Sequence, residues 1–263
     1  MFCKTGAIGQ LLDHPGVVKT FNSESRSVVY MVLEWADGRL LRSLLNEKKK
    51  LPVDRAAGIT LRICEALDYM HKRGIVHRDL KPENVMVDQN DHIKLIDFGI
   101  AMKEDARRLT FVNLSATLGT PDYISPEQVK GQRGDQRSDL YAVGIMLYEM
   151  LTGQVPFGGP NPLAAMNERL LIDPPPPHEL NKQISPQLEE IVYRALERDP
   201  RHRYATAHEM IWDLEHQEQV GVDEHGHSSS RSRNGVNKKV LLYAGMALVP
   251  VILFGLMMLL AKR

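Results

Sequence analysis

Residues 77–99 read HRDLKPENVMVDQNDHIKLIDFG, and the rest of the chain is placed around them. Val85 and Val87, then Ile93 and Leu95, alternate with other residues at the period of a strand, and the polar residues 89–91 between them are turn chemistry. The spacing predicts a tight hairpin holding two loops side by side, one over residues 77–84 and one beginning at Asp97. These loops carry a set suited to phosphoryl transfer. Asp79 is a carboxylate able to accept a proton from an attacking hydroxyl, Lys81 is a cation two residues on, and Asn84 and Asp97 are oxygen ligands of the kind a hard Mg²⁺ ion prefers. Such a transfer asks little covalent chemistry of a protein, so a base, a clamp on phosphate charge and metal ligands are most of what it needs.

The chain has 263 residues, no net formal charge, 43% hydrophobic and 25% charged residues, the balance of an ordinary soluble domain except at its C-terminus. Neutrality gives no argument for a nucleic-acid partner, and none is expected. Cys3 and Cys64 lie far apart without metal-ligand spacing, so neither a disulfide framework nor a zinc site is suggested. Cys64 falls in a helical pattern and reads as a small buried apolar residue. Residues 1–10 carry no apolar run long enough for a signal peptide.

Working outward, Gly6 and Gly9 fit neither G-x-G-x-x-G nor G-x-x-x-x-G-K-[ST], and their segment reads as the tail of a helix. Residues 28–34 form a continuous apolar run rich in β-formers, which predicts a buried strand. Leu40, Leu41, Leu44 and Leu45 mark one face of a short helix with a solvated Lys48–Lys50 end. Over residues 53–73, Ala56, Ile59, Ile63, Ala66, Leu67 and Met70 share one helical face, and Gly74 stops the helix just before His77. Downstream, Arg137-Ser138-Asp139 opens a helix with Leu140, Val143, Met146, Leu147, Met150 and Leu151 inward and Gly153 as its stop, and Asp139 reads as its cap. The prolines at 174–177 forbid helix and mark a loop. Ser185-Pro186 caps a further helix, and Thr206-x-x-Glu209 is a capping box opening the last one. Residues 218–239 lose the apolar pattern and read as a flexible linker. Residues 240–260 contain no charge; as a helix they span roughly 31 Å, matching a hydrocarbon core of about 30 Å. A transmembrane helix is expected there. Arg231, Arg233, Lys238 and Lys239 precede it while Lys262 and Arg263 follow, so the basic excess places the lobe before it on the cytoplasmic side of a plasma or inner membrane.

H-R-D-L-K-P-E-N followed by D-F-G, with G-T-P-D-Y-I-S-P-E at residues 119–127, resembles the catalytic loop, metal-binding loop and substrate-facing segment of the eukaryotic-type (Hanks-type) protein kinases. RSDLYAVGIMLYEMLTGQVPF and ALERDPRHRYAT, with a membrane helix after the domain, are most similar to bacterial membrane-anchored serine/threonine kinases. The resemblance covers about residues 10–217. It implies an α+β, protein-kinase-like fold, mainly the helical C-lobe with a partial N-lobe, plus a C-terminal transmembrane helix. The implied domains are a kinase domain over 1–217, the linker over 218–239 and the membrane helix over 240–260.

The resemblance also assigns roles. Asp79 is the catalytic base, Lys81 neutralises the moving γ-phosphoryl of ATP, and Asn84 and Asp97 hold Mg²⁺ (or Mn²⁺). Leu33 is the gatekeeper, the backbone of Glu34 and Ala36 meets the adenine edge, and Met86 and Asp97 complete the ATP-binding set. The stretch 100–118 is an activation loop with Thr110, Ser115 and Thr117 as phosphoacceptors, and Arg78 is the residue to pair with a phosphate there. Asp139 braces the catalytic-loop backbone. Arg203 pairs with Glu127, in a motif where Ser125 replaces the family's alanine. Lys81 favours Ser/Thr over Tyr specificity. Implied partners are ATP, protein substrates and the membrane, with a homodimer left open.

The family's glycine-rich phosphate loop, the strand with its V-A-I-K lysine and most of the helix carrying its partner glutamate would precede residue 1. No acidic residue occurs before Asp13, and Lys4 or Thr5 falls about where that glutamate belongs. Three readings follow: a Ser/Thr kinase whose start codon is read late, a shortened binding module without catalysis, or a membrane-tethered scaffold that docks partners on its helical lobe. Intact Asp79, Asn84 and Asp97 favour the first. From these 263 residues alone, weak ATP binding and negligible transfer are expected.

Overall fold

A computed structural model describes residues 12–21, 32–97, 121–158 and 161–222. The chain divides at Val222 into two units, and every described residue belongs to the first. The linker beyond Val222, the membrane helix at 240–260 and the activation-loop residues Thr110, Ser115 and Thr117 lie outside the described residues. Among the described residues, no helix is long and apolar enough to cross a membrane.

The strands are short: β1 (Thr20–Phe21), β2 (Val32–Leu33), β3 (Arg39–Leu40), β4 (Val85–Val87) and β5 (Ile93–Leu95). β1 pairs with β2, and β3-β4-β5 form a second antiparallel sheet with Val85 opposite Leu95 and Val87 opposite Ile93. The hairpin is therefore in the register its alternation predicts, with Val85, Val87, Ile93 and Leu95 buried on one face. The helices are α1 (Leu41–Lys48), α2 (Val53–His71), α3 (Pro126–Val129), α4 (Gln136–Thr152), α5 (Pro162–Leu171), α6 (Pro177–Leu180), α7 (Pro186–Ala195) and α8 (Ala207–Glu215).

α4 is the centre of the described unit. Its residues 138–151 are all buried, so the one-sided pattern expected for it is replaced by burial all round, as a helix packed by neighbours on every side requires. α2 and α7 pack on α4, and α8 packs on α2. Gly144 makes the α4–α7 approach possible, because a Cβ there would lie 2.7 Å from the Ala195 side chain. Gly153 ends α4 in the left-handed conformation at φ 86°, where glycine bears no Cβ penalty.

Several expectations are corrected. Val32 and Leu33 are 41% and 44% exposed, since an apolar run is buried only where another layer covers it, and among the described residues β2 has β1 as its one pairing partner. Leu40 belongs to β3, paired with Met86, so the helical face begins at Leu41. The cap of α4 is Asp135, whose carboxylate accepts from Arg137 N at 2.8 Å; Asp139 sits inside the first turn, free for other work. Pro177 opens α6 as its first residue, a position where the missing N–H costs nothing. In the last capping motif Thr206 accepts from Glu209 N, while the Glu209 carboxylate reaches Ala205 N rather than Thr206 N. Helix α5, capped by Asn161, carried no recognised signal.

Candidate active site

The loop over residues 77–84 is built from its supports upward. α2 ends at His71, and its buried face orients the chain entering the loop. Asp139, 1% exposed, accepts from His77 N at 2.8 Å and Arg78 N at 2.7 Å, and the His71 ring meets the same carboxylate at 2.9 Å. Arg78 needs that grip, because its backbone lies at φ 65°, a left-handed conformation costing an L-residue roughly 1–2 kcal/mol. His77 is fully buried. Burial pushes its imidazole below the ordinary value, although Asp139, Asp79 and a backbone hydrogen bond at Ile96 act the other way. A neutral ring suits an Nδ1 that faces Asp79 N at 3.4 Å.

On this frame Asp79, Lys81 and Asn84 converge. Lys81 Nζ lies 3.0 Å from Asp79 Oδ2, and Asn84 Nδ2 donates to the Asp79 carbonyl at 2.7 Å and to Oδ2 at 3.3 Å. Both side-chain bonds fall on Oδ2, so Oδ1 is the carboxylate's other acceptor. The Asn84 carbonyl accepts from Ile96 N at 2.9 Å, which ties the first loop to the residue preceding Asp97. Asp97 also stands in the left-handed region, at φ 61°, a conformation that is sparsely populated for non-glycine residues. With its Nδ2 turned to Asp79, Asn84 presents an amide oxygen, and with the Asp97 carboxylate this is an all-oxygen donor pair fitting Mg²⁺ or Mn²⁺. A divalent cation held by Asn84 and Asp97 would complete its coordination with phosphates and water.

Comparison with known proteins agrees with this geometry. The protein kinase domain model matches residues 6–213. The chain belongs to the protein kinase family. A protein of Streptomyces coelicolor named as a probable serine/threonine-protein kinase is 41% identical over 209 residues, covering 78% of this chain and 31% of the relative. A second, from Clostridium perfringens and named in the same words, is 39% identical over 78% of this chain and 30% of its own length. The serine/threonine-protein kinase PknB of Mycolicibacterium smegmatis is 38% identical over 77% of this chain and 33% of its length. The chain thus spans about a third of the length of the curated relatives it matches. The α+β protein-kinase-like fold expected from the loop motifs is the fold of this chain.

The other residues named from the sequence lie on and after β2, on β4 and around α3. Glu34 is linked to the hairpin by Lys94, 2.8 Å from its carboxylate and opposite Met86 in the ladder. That hydrogen bond from Lys94 holds the Glu34 carboxyl below its ordinary range. Met86 lies between buried Val85 and Val87 and points to the opposite, half-exposed face of β4. Leu33, just before Glu34, is exposed, and Ala36, two residues after it, is half-buried. Glu127 and Arg203 form a two-pronged ion pair at 2.8 and 2.7 Å, with Ser138 Oγ donating to the same carboxylate at 2.6 Å.

Sequence reasoning missed a second ionic group beside the cleft. Arg42 of α1 donates to Glu83 and to Glu149, each at 2.7 Å, and to the Tyr123 hydroxyl, which in turn donates to Glu149. Burial alone would lower the pKa of Arg42, yet the bonds to Glu149 and Glu83 raise it. The group joins α1, the loop over residues 77–84, the segment ahead of α3, and α4. Nothing in the spacing of residues 42, 83, 123 and 149 announces that they meet. His71 and Gln128 were also passed over, for the same reason.

Proposed function

We propose that the protein is a serine/threonine protein kinase that transfers the γ-phosphoryl group of ATP to protein hydroxyls. The observation that carries this reading is the Asp79 carboxylate, held on one oxygen by Lys81 and Asn84 in a loop whose backbone is bonded to buried Asp139. Asp79 Oδ1 orients the acceptor hydroxyl and takes its proton as the phosphoryl group moves. Lys81, already within 3.0 Å of Asp79, offsets the charge of that phosphoryl group. A divalent cation, when bound, neutralises charge on the nucleotide phosphates; Asn84 and Asp97 are the residues that would hold it. Glu34 and Ala36 offer backbone groups to the adenine edge, with Leu33 and Met86 on its apolar faces. Asp79→Asn removes the proton acceptor while preserving the shape of the loop. Radiolabelled ATP assays on the full-length protein should show transfer reduced by at least about 10²-fold; an unchanged rate would refute the assignment.

Two finer readings belong to the same proposal. Arg78 pairs with a phosphate on the 100–118 loop, adding charge-assisted bonds that order it, and Thr117 is the first acceptor ahead of Ser115 and Thr110. Mass spectrometry of the active protein tests this, and finding all three unmodified counts against it. Residues 240–260 anchor the protein in the plasma or inner membrane with the kinase lobe cytoplasmic, where ATP is. Protease applied outside intact cells should leave the lobe uncut, whereas its digestion would reverse the orientation.

A further inference from the structure

Arg78 is held at both of its backbone groups, and the second support comes from outside the loop over residues 77–84. Asp139 takes the N–H of Arg78. Gln128 of α3 takes the carbonyl, its Nε2 donating to Arg78 O at 3.1 Å. The orientation of the Gln128 amide is dictated locally, because its Oε1 accepts from Ser125 N at 3.0 Å; a backbone donor at one end and a backbone acceptor at the other admit one arrangement of the amide. α3 itself is anchored through Glu127, the neighbour of Gln128, in its buried ion pair with Arg203.

We infer that Gln128 is a positioning residue for Asp79. The Arg78 carbonyl belongs to the same peptide plane as Asp79 N, so fixing that oxygen fixes the plane from which the Asp79 side chain departs. His77 Nδ1 also faces Asp79 N, in a long contact of 3.4 Å. Arg78 sits at φ 65°, so releasing its carbonyl lets the peptide relax away from a conformation that is unfavourable for a non-glycine residue. Gln128 also lines the cleft shared by Arg78, Asp79 and Lys81, and it couples that cleft to the substrate-facing segment through Ser125.

This inference rests on Asp79 being the base of phosphotransfer, and the test separates the two. Autophosphorylation of the full-length protein with ATP and Mg²⁺ is measured for the wild type, Gln128→Met and Gln128→Glu. Gln128→Met keeps the side-chain volume and loses the donor, so the maximal rate should fall on the order of tenfold, with the KM for ATP unchanged. Gln128→Glu keeps the acceptor for Ser125 N and sets a carboxylate against the Arg78 carbonyl. It should be impaired at about pH 8 and recover relative to wild type towards about pH 6, as protonation restores a donor. A purely structural role in holding Ser125 predicts a Gln128→Glu protein close to wild type at every pH. Wild-type rates in Gln128→Met, or a flat pH ratio in Gln128→Glu, overturn the inference. If Gln128→Met fails to fold, the pH ratio of Gln128→Glu decides alone. If the wild type transfers no phosphate, amide hydrogen exchange over residues 78–81 decides the clamp in place of the rates: faster exchange in the Gln128 variants supports it, and equal exchange refutes it.

Discussion

Asp139→Ala is expected to lose about 3–5 kcal/mol of stability and to reduce phosphotransfer to background. The carboxylate is 1% exposed and accepts from two backbone N–H groups and a histidine ring. Alanine leaves the His77 and Arg78 amides without an acceptor where water does not reach, and each charge-assisted bond of this kind is worth about 1.5–3 kcal/mol. The two losses are linked. Arg78 is kept at φ 65° by its bond to Asp139, so the loop relaxes and Asp79 moves with it. Asp139→Asn retains one carbonyl oxygen against one of the two amides and should fall between the wild type and alanine on both measures. Denaturant unfolding and a transfer assay on the same preparations read the effect. An Asp139→Ala protein with the wild-type unfolding midpoint would show that the loop does not depend on this brace.

The second large effect is expected at Arg203. Its guanidinium is fully buried and makes two parallel bonds to Glu127, while its remaining donors go to the carbonyls of Glu197, Arg198 and Arg137. Arg203→Ala strands the Glu127 carboxylate against Ser138 alone, and breaking one side of a buried pair in this way costs about 3–5 kcal/mol. Replacing both partners, as in Glu127→Leu with Arg203→Met, should cost much less, because no uncompensated charge remains. The pH dependence carries a sign. Burial would raise the Glu127 carboxyl, but the hydrogen bond and charge of Arg203 outweigh it and hold it below the usual range. The pair therefore stabilises the wild type above the unfolded carboxyl value of about 4.3, and that contribution is lost as pH falls through the lower folded value. Without Arg203 the carboxyl is still buried and its value rises, so the deficit of Arg203→Ala should shrink on acidification. A deficit independent of pH between about 7 and about 4 would rule out Glu127 as its source.

Much of this protein is legible along the chain because its periods are local properties. The alternation of Val85, Val87, Ile93 and Leu95 defines a hairpin, and the hairpin sets two loops beside each other whatever surrounds it. The 3.6-residue period over α2 names its buried face, and Gly74 and Gly153 mark helix ends through backbone freedom alone. The chemical types at 79, 81, 84 and 97 likewise restrict the chemistry before any coordinate is known. What the chain could not declare are relations between distant residues and the coverage of each face. The exposure of Val32 and Leu33 depends on which layer covers a strand, not on its composition. Asp139 reads equally as a helix cap or a loop brace until tertiary packing brings His77 and Arg78 to its oxygens and leaves the capping to Asp135. Gln128 and Arg42 carry no pattern at all: an amide that bridges Ser125 to Arg78, and a guanidinium shared by Glu83, Glu149 and Tyr123, come into being only when α4 carries α1, α3 and the loop to within hydrogen-bond distance. Periodicity encodes the elements because each residue sees its near neighbours, whereas the site is assembled by contacts across up to 107 positions of sequence, which the folded core alone selects.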